Sequence, residues 1–278
     1  MKHLIPLAII ILVLQACTLS GTRSTSSPAI NRNADIPAGE TSAVTLDSVE
    51  INDTLRIDSS GLVSALKIVY PVTPSLLADS VLQWIRSSLS PDTLSGSSQN
   101  IGSASQLASG IIARERSDVR TDFPTMTSGA MFDFVANSSP VCIAPQFTSY
   151  QTSVYRYRGG AHGRMYCINE IFVNSTGARL GWNIFRAEAL PDVLTLVSGG
   201  ILNQYFDGDT EMMAQSMLLE TDRIPLPSQP PLFTPDGITF IYQQYEITVY
   251  AAGMPHCTVP YADLKPFMTA SALELLDF

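Results

Sequence analysis

Hydrophobic and polar residues alternate along several stretches of the chain, with the period of two that is typical of β-strands. The first clear stretch is residues 62–70, which ends at Pro71, a residue that interrupts an interior strand. The same pattern predicts four strands in the middle of the chain, at residues 130–135, 141–149, 153–158 and 165–174. It predicts three more near the C-terminus, at residues 238–242, 246–250 and 257–259.

A helical period of about 3.6 residues occurs in fewer places. Apolar residues recur at this spacing from Leu76 to Leu89, directly after Pro74 and Ser75, which are residues that commonly open a helix. Residues 106–121 are ambiguous, since only their apolar half favours the start of a helix.

If residues 106–121 form a helix, Arg114, Glu115 and Arg116 are expected on its solvent side. A helical region is also expected over residues 186–220, with a break near residues 207–209, where Asp, Gly and Asp follow one another. A short helix is expected to begin at Tyr261.

Turn-forming residues separate these elements. The run Asn174-Ser175-Thr176-Gly177 predicts a tight turn that folds residues 178–182 back as a hairpin. Residues 90–105, rich in Ser, Gly and Asn, and residues 225–235, with five prolines, are expected to be loops. Strands dominate without regular βαβ alternation, which disfavours a doubly wound nucleotide-binding fold. The sequence therefore predicts an α+β fold, with a mostly antiparallel sheet, helices packed on it, and two closely associated subdomains.

The first seventeen residues resemble a bacterial lipoprotein signal. A charged start with Lys2 precedes an apolar run over residues 4–14, which is too short to span a bilayer but fits a signal peptide. Ala16 and Cys17 follow, a small residue and a cysteine in the arrangement of a lipobox. This resemblance implies that cleavage leaves Cys17 as a lipid-bearing N-terminus; the alternative is an ordinary secretory signal with an incidental cysteine.

The expected organisation has four parts: a signal peptide (1–16), a lipidated Cys17 with a disordered tether (17–45), an N-terminal α/β subdomain (46–150) and a C-terminal domain (151–278). The tether is predicted from its Ser, Thr, Gly, Asn, Pro and Ala content. The residues after Cys17 carry no acidic cluster of the kind that directs some lipoproteins to the cell surface. The expected location is therefore the cell envelope, on the outer membrane and facing the periplasm.

The charge balance excludes one class of partner. The formal net charge is −9, and loss of Lys2 with the first 16 residues makes it −10. A chain this acidic, without a basic tract, is not expected to bind nucleic acid. Neither a cofactor nor a metal is expected.

Cysteine and histidine are scarce in the mature part. Three cysteines remain besides Cys17, namely Cys142, Cys167 and Cys257, and they are interpreted as buried thiols, with one disulfide and one leftover thiol as the alternative. The histidines are His162 and His256. Together with Cys167 and Cys257 they offer zinc-type ligands, but their spacing matches no standard zinc pattern.

The segment Tyr157-Arg158-Gly159-Gly160-Ala161-His162-Gly163-Arg164 is the main candidate for function. Adjacent glycines after a strand allow unusual backbone angles and the close approach of a ligand. Residues 150–186 contain five arginines and one acidic residue, which makes this region a basic island on an acidic chain. The segment could bind an anionic or carbonyl-rich ligand, or it could be a structural turn in which His162 caps a neighbouring carbonyl.

Four stretches of the chain carry a resemblance to a known family. They are the motif Tyr157-x-Gly-Gly-Ala-His-Gly163, the run Leu-Phe-Thr-Pro-Asp-Gly-Ile-Thr-Phe-Ile-Tyr-Gln-Gln-Tyr-Glu-Ile from Leu232, and the later Tyr-Ala-Ala-Gly and Val-Pro-Tyr-Ala-Asp-Leu. Together they resemble the C-terminal domain of RsiV-type anti-sigma factors. That domain also accompanies some peptidoglycan deacetylases. Residues 66–71 and the helix after them resemble the small α/β domain that usually precedes it. RsiV-type proteins sense lysozyme by binding it, but their membrane-spanning and cytoplasmic parts have no counterpart here.

The resemblance implies a non-catalytic binding module for a lysozyme-like protein or a peptidoglycan fragment. The ligand-binding residues that it and the basic island suggest are Tyr157, Arg158, Gly159, Gly160, Ala161, His162, Gly163, Arg164, Tyr245 and Glu246. The alternative is an envelope hydrolase, in which His162 is a general base paired with Glu246 or activates Cys167. Tyr242, Tyr245 and Tyr250 are interpreted as core and sheet-edge residues rather than a sugar-binding surface.

Overall fold

The computed structural model describes residues 44–89, 103–122 and 129–277. The predicted signal peptide, Cys17 and nearly all of the expected tether lie outside the described residues, as does most of the loop expected over 90–105. No helix within the described residues is both long and apolar enough to cross a membrane.

A six-stranded sheet forms the frame of the fold, and its strands follow one another in chain order. They are β1 (Leu46–Ile57), β2 (Ser60–Pro71), β3 (Met131–Ile143), β4 (Phe147–Tyr157), β5 (Arg164–Val173) and β6 (Arg179–Leu180). Neighbouring strands are antiparallel except β2 and β3, which are parallel. The predicted turn at residues 174–177 is confirmed, since it connects β5 to β6, and Gly177 supplies the left-handed φ of +66° that the turn requires.

Two helices connect the parallel strands and cover one face of this sheet. They are α1 (Leu76–Leu89) and α2 (Ala104–Asp122). A parallel pair needs such a crossover, because a short turn cannot bring the chain back to the same end of the sheet. The predicted start of α1 is confirmed: the Ser75 hydroxyl accepts a hydrogen bond from the Ala78 N–H at 3.2 Å. Trp84 of α1 lies edge-on to Tyr150 and Phe172 of the sheet, in a closed core.

The C-terminal region adds a three-stranded antiparallel sheet of β7 (Leu232–Thr234), β8 (Gly237–Ile241) and β9 (His256–Val259). Its helices are α3 (Leu190–Gly200), α4 (Thr210–Ser216), α5 (Tyr261–Leu264) and α6 (Ala270–Leu275). A π-helical segment, Ile201–Tyr205, directly continues α3. The predicted helical break is confirmed, because the Asp209 side chain accepts from the Met212 N–H and starts α4 there.

The α+β class and the mostly antiparallel sheet are confirmed, and the two hydrophobic cores lie on opposite faces of the large sheet. Tyr150 and Phe172 belong to the core under α1 and α2, whereas Phe147 and Ile171 belong to the core of the C-terminal region. The boundary expected after residue 150 falls inside β4, so both cores share the strands β4 and β5.

Two predicted strands are wrong. Residues 141–149 contain the end of β3, a turn at residues 144–146 and the start of β4, because apolar alternation continues straight through the connection. Residues 246–250 form no strand: Tyr245 has a left-handed φ of +65°, and Thr248 makes only an isolated bridge to Met217. The loop expected over residues 225–235 is shorter than predicted, because strand β7 begins at Leu232.

Residues 106–121 are helical, but the expected solvent position of Glu115 is wrong. Glu115 is only 4% exposed and faces the sheet, while Arg116 reaches Asp53 on β1 with two hydrogen bonds of 2.6 and 2.7 Å. The reason is helical spacing: Glu115 falls on the same stripe as the buried residues Ile111, Ile112 and Val119.

Candidate functional site

Two segments that are far apart in sequence meet beside the end of β4. The first is the glycine loop (residues 157–164) and the second is the stretch after β8 that carries Tyr245 and Tyr250. The His162 ring stacks on Tyr250 with centroids 3.7 Å apart and a 17° interplanar angle. Its Nε2 atom lies 3.1 Å from the Tyr245 hydroxyl oxygen. We call His162, Tyr245 and Tyr250 the aromatic cluster; Tyr245 is 48% exposed and His162 is exposed, so their rings are accessible from solvent.

The glycine loop owes its shape to its small residues. Gly159 and Gly160 have φ values of +90° and +89°, which favour glycine over residues with a Cβ atom. The Tyr157 hydroxyl donates to the Gly160 carbonyl at 3.0 Å and closes the loop. A Cβ atom on Gly163 would lie 2.3 Å from the Tyr155 ring, so this glycine lets the loop press against β4. The loop is therefore held in one shape before any ligand arrives.

The second segment is fixed by its own side chains. The Glu246 carboxylate accepts hydrogen bonds from the Gln243 N–H at 2.6 Å and the Ser228 N–H at 2.5 Å. These bonds hold the turn in which Tyr245 adopts its left-handed conformation. Tyr205, from the π-helical segment, donates to the Ala252 carbonyl in the 3-10 turn that begins at Tyr250.

Two glutamines join the second segment to the open side of β5. The Gln243 amide accepts from the Cys167 N–H at 2.9 Å and donates to the Cys167 carbonyl at 3.0 Å. The Gln244 side chain accepts from the Met165 N–H at 2.7 Å. These contacts take the place of a neighbouring strand, since β6 pairs only with the far end of β5. They place Tyr245 next to the glycine loop.

One buried carboxylate holds two of the three arginines around the glycine loop, and it neutralises one of their two positive charges. Buried Glu115 of α2 binds Arg156 through one carboxylate oxygen and Arg158 through the other. Arg156 also donates to the Tyr166 hydroxyl and lies over the Phe134 ring, 5.1 Å from its centroid. The structure thus uses Arg156 and Arg158 as anchors of the loop, and of the three arginines around the loop only Arg164 is mostly exposed.

The geometry does not form the catalytic pairs considered from the sequence. Glu246 is engaged by backbone amides, and the ring nitrogens of His162 face the Tyr245 hydroxyl and, at 3.2 Å, the Gly163 carbonyl. Cys167 is buried, and desolvation raises the pKa of its thiol to about 12, so it stays protonated at neutral pH. The ring that His162 stacks on is Tyr250, so neither of the catalytic partners considered, Glu246 and Cys167, contacts the His162 ring.

The remaining candidate ligands are separated. His256 lies beside Tyr205, with its Nδ1 atom 3.1 Å from the Met254 carbonyl, and buried Cys257 contacts the Val197 carbonyl. Among the described residues, Cys142, Cys167 and Cys257 form no disulfide with one another, and Cys142 is only half-buried. Within the described ranges, no group of three His, Cys, Asp or Glu residues could hold a metal ion.

Sequence reasoning missed several residues that build this site. Tyr250 belongs to the aromatic cluster, although it was expected in the core or at a sheet edge. Tyr245, for which both a ligand-binding role and a core or sheet-edge position were considered, is exposed, and Tyr242 is buried as expected. Glu115 carried a usable signal, because it lies on the apolar stripe of its helix. Gln243 and Tyr205 carried none, since their partners are 76 and 47 residues away in sequence.

Comparisons with known proteins support the fold. Residues 202–262, which include Tyr245 and Tyr250 but not the glycine loop, match the DUF3298 family, described as a protein of unknown function. No curated protein matches the chain.

Two solved structures resemble the chain over most of its length. A member of the DUF3298 family from Bacteroides fragilis has a TM-score of 0.71 at 19% identity, covering 86% of this chain and 99% of the other. A DUF3298 family protein from Pseudomonas aeruginosa PAO1 has a TM-score of 0.60 at 11% identity, covering 84% and 98%. The chain therefore carries a DUF3298 match in its C-terminal region and shares the fold of these two DUF3298 family structures.

Proposed function

We propose that this chain is a non-catalytic binding module of the bacterial cell envelope, which captures a lysozyme-like protein or a peptidoglycan fragment. The observation that carries the proposal is the exposed aromatic cluster on a pre-shaped loop. Aromatic rings contribute much of the binding free energy at protein interfaces, and their flat apolar faces also suit contact with sugar rings. The glycine loop and the turn around Tyr245 are fixed by hydrogen bonds, which lowers the entropy lost on binding.

The arrangement favours binding over hydrolysis. A general base needs a neighbour that orients it and a nucleophile within reach. His162 contacts the Tyr245 hydroxyl, the Gly163 carbonyl and the Tyr250 ring. The Glu246 carboxylate accepts hydrogen bonds from backbone N–H groups instead of contacting His162. We therefore assign His162 the role of a contact residue.

The ligand class follows from charge and from the resemblance to RsiV-type proteins. Glu115 binds both Arg156 and Arg158 and neutralises one of their two charges, so Arg164 is the loop arginine most exposed to an anionic glycan. The acidic chain, with a net charge of −9, would steer a basic lysozyme-like protein towards it. A peptidoglycan fragment would instead use the faces of Tyr245 and Tyr250.

The proposed location rests on the first seventeen residues. A lipid on Cys17 would hold the module at the outer membrane, facing the periplasm, and the residues up to 45 would give it reach. A single labelling experiment tests this part: cells fed a tagged fatty acid should label the chain, and Cys17→Ser should abolish the label. Labelling that survives Cys17→Ser would contradict the lipid anchor.

The binding proposal is tested by calorimetry on the chain without residues 1–40. We expect saturable binding to lysozyme or to purified peptidoglycan fragments, weakened about tenfold or more by Tyr245→Ala, since an aromatic anchor is worth about 2 kcal/mol. Tyr70→Phe, at a half-buried tyrosine of β2 whose hydroxyl lies 3.4 Å from the Asp47 carboxylate, is the control and should bind normally. Absence of heat with both ligands would contradict the proposal.

A further inference from the structure

We propose that strand β1 and helix α2 form a second binding site, which takes an extended, acidic segment of another protein as an added strand. This surface is separate from the aromatic cluster and does not depend on the proposed function. Two observations carry it: a sheet edge with which no strand of the described residues pairs, and a groove beside that edge whose far wall carries Arg116 and Arg120.

The two edges of the large sheet differ in how far other described residues cover them. On one side, β6, Gln243 and Gln244 cover the outer edge of β5. On the other side, β1 is the last strand, and no described element pairs with its outer edge over its twelve residues. An exposed strand edge presents backbone donors and acceptors that readily pair with another chain.

The hydrogen-bond register identifies which backbone groups are available. Val72 donates to the Thr45 carbonyl, and in the β1–β2 register these residues are opposite each other, which makes them a hydrogen-bonded pair. Hydrogen-bonded and non-hydrogen-bonded pairs alternate, so every second residue of β1 directs its N–H and C=O away from β2. These residues are Leu46, Ser48, Glu50, Asn52, Thr54 and Arg56, although the Ser48 N–H is engaged by the Asp47 carboxylate at 2.7 Å.

A groove of about 430 Å³ runs between β1 and α2. Its apolar lining comes from Ile51 of β1 and Ile112 of α2. The exposed face of α2 carries small residues at intervals of four, Ser109, Ala113 and Ser117, which leave room for a peptide backbone beside the strand edge. A strand edge next to a helix, with an amphipathic groove between them, is the geometry in which peptides bind by strand addition.

The charged side chains beside the groove indicate which kind of peptide segment would bind there. Arg116 and Arg120 line the groove one helical turn apart. Arg116 binds Asp53 through its Nε and Nη2 atoms, which leaves the hydrogens of Nη1 available. Arg120 is exposed and has no ion-pair partner among the described residues. Because Asp53 already pairs with Arg116, Arg120 supplies the positive charge for an occupant, and it favours a segment whose α2-facing side chains include an apolar residue and carboxylates.

The test uses the full chain and a synthetic peptide, acetyl-Thr-Ile-Thr-Glu-Thr-Glu-Thr-amide, whose alternate side chains would face α2 in an added strand. We expect saturable binding by fluorescence anisotropy, and loss of binding when both Glu are replaced by Gln. Arg120→Glu should weaken binding about tenfold or more, because it removes a charge-assisted contact and adds repulsion. Arg223→Glu, at an exposed arginine of the C-terminal region, should leave binding unchanged.

Asn52→Pro tests the strand edge itself. It removes an outward N–H without breaking a β1–β2 hydrogen bond, so it should abolish peptide binding, whereas Asn52→Ala keeps the N–H and should bind as wild type. If Asn52→Pro fails to fold, the Arg120→Glu and Arg223→Glu pair still decides the question.

Three outcomes would overturn the proposal. The acidic peptide does not bind, or its binding is insensitive to Arg120→Glu. The chain dimerises in sedimentation and the dimer is lost in Asn52→Pro, which would make a second copy the occupant. The peptide binds only after residues 1–40 are removed, which would assign the groove to the chain's own N-terminal segment.

Discussion

At the scale of single residues, the site depends on a few positions where another side chain would clash with a neighbour or leave buried groups without their partner. Gly163 lies against the Tyr155 ring, Glu115 anchors two arginines, and Glu246 fixes the turn at Tyr245. None of the three is placed to contact a ligand in the way the aromatic cluster is. Their role is to hold His162, Tyr245 and Tyr250 in position, and this can be measured through stability.

Gly163→Ala should destabilise the fold by about 2 kcal/mol, because the new Cβ atom would lie 2.3 Å from the Tyr155 ring and would force one of them to move. Urea unfolding measures this. The matched control is Gly199→Ala in α3, where nothing lies within 4 Å of the new atom. The control should be neutral or stabilising by up to about 1 kcal/mol, since alanine favours a helix. Equal effects at both positions would show that the loop yields freely.

Glu115→Ala should cost about 3 kcal/mol of unfolding free energy, because it leaves the guanidinium groups of Arg156 and Arg158 without their buried partner. Asp118→Ala on the same helix breaks only the exposed pair with Arg114 and should cost less than about 0.5 kcal/mol. If both substitutions cost the same, Glu115 is not the anchor that the structure indicates.

The buried thiols predict a loss of stability at alkaline pH. Burial raises the pKa of Cys167 and of Cys257 to about 12 from an ordinary value of 9.0. Above pH 9 the unfolded thiols ionise and the folded ones do not, so the unfolding free energy falls by about 1 kcal/mol for each thiol between pH 9 and pH 10, approaching a limit of about 1.4 kcal/mol per pH unit. Denaturant titrations at pH 9 and pH 10 measure the slope. It should decrease in Cys167→Ala, and an unchanged slope would contradict the burial of that thiol.

At the scale of elements, the sequence predicted those strands and helices whose own residues determine them. The strand at 62–70, the helix from Leu76 and the turn at residues 174–177 depend on local alternation, capping and glycine. The elements it misjudged depend on distant partners: residues 246–250 are held as turns by Gln243 and Glu246, and Glu115 is buried by arginines of β4. For the same reason the glycine loop was recognised from sequence, but Tyr250, its stacking partner, was not.

The join between β5 and the second segment gives a prediction at this scale. Gln243→Ala removes both hydrogen bonds to Cys167, so the Cys167 N–H should exchange with solvent faster, and the unfolding free energy should fall by about 1–3 kcal/mol. Hydrogen exchange read out by NMR follows that amide directly. Gln215→Ala, whose side chain bonds only Glu211 on an exposed face, is the control and should change neither quantity. Unaltered exchange at Cys167 in Gln243→Ala would refute the join.

At the scale of the whole molecule, the large sheet carries a core on each face and presents two different surfaces. The aromatic cluster lies where the glycine loop meets the C-terminal region, next to β4 and β5. The outer edge of β1, with which no described strand pairs, is the opposite edge of the same sheet. The family match and the solved structures support the fold but leave the ligand to experiment. The proposed function depends on one claim, that binding occurs at the aromatic cluster.

The most direct test of that claim is hydrogen exchange by mass spectrometry on the chain without residues 1–40, with and without saturating lysozyme or peptidoglycan fragments. We expect slower exchange in residues 157–164 and 243–253 when the ligand binds, and loss of this protection in Tyr245→Ala. Protection confined to other segments, or protection that persists in Tyr245→Ala, would rule out binding at the aromatic cluster.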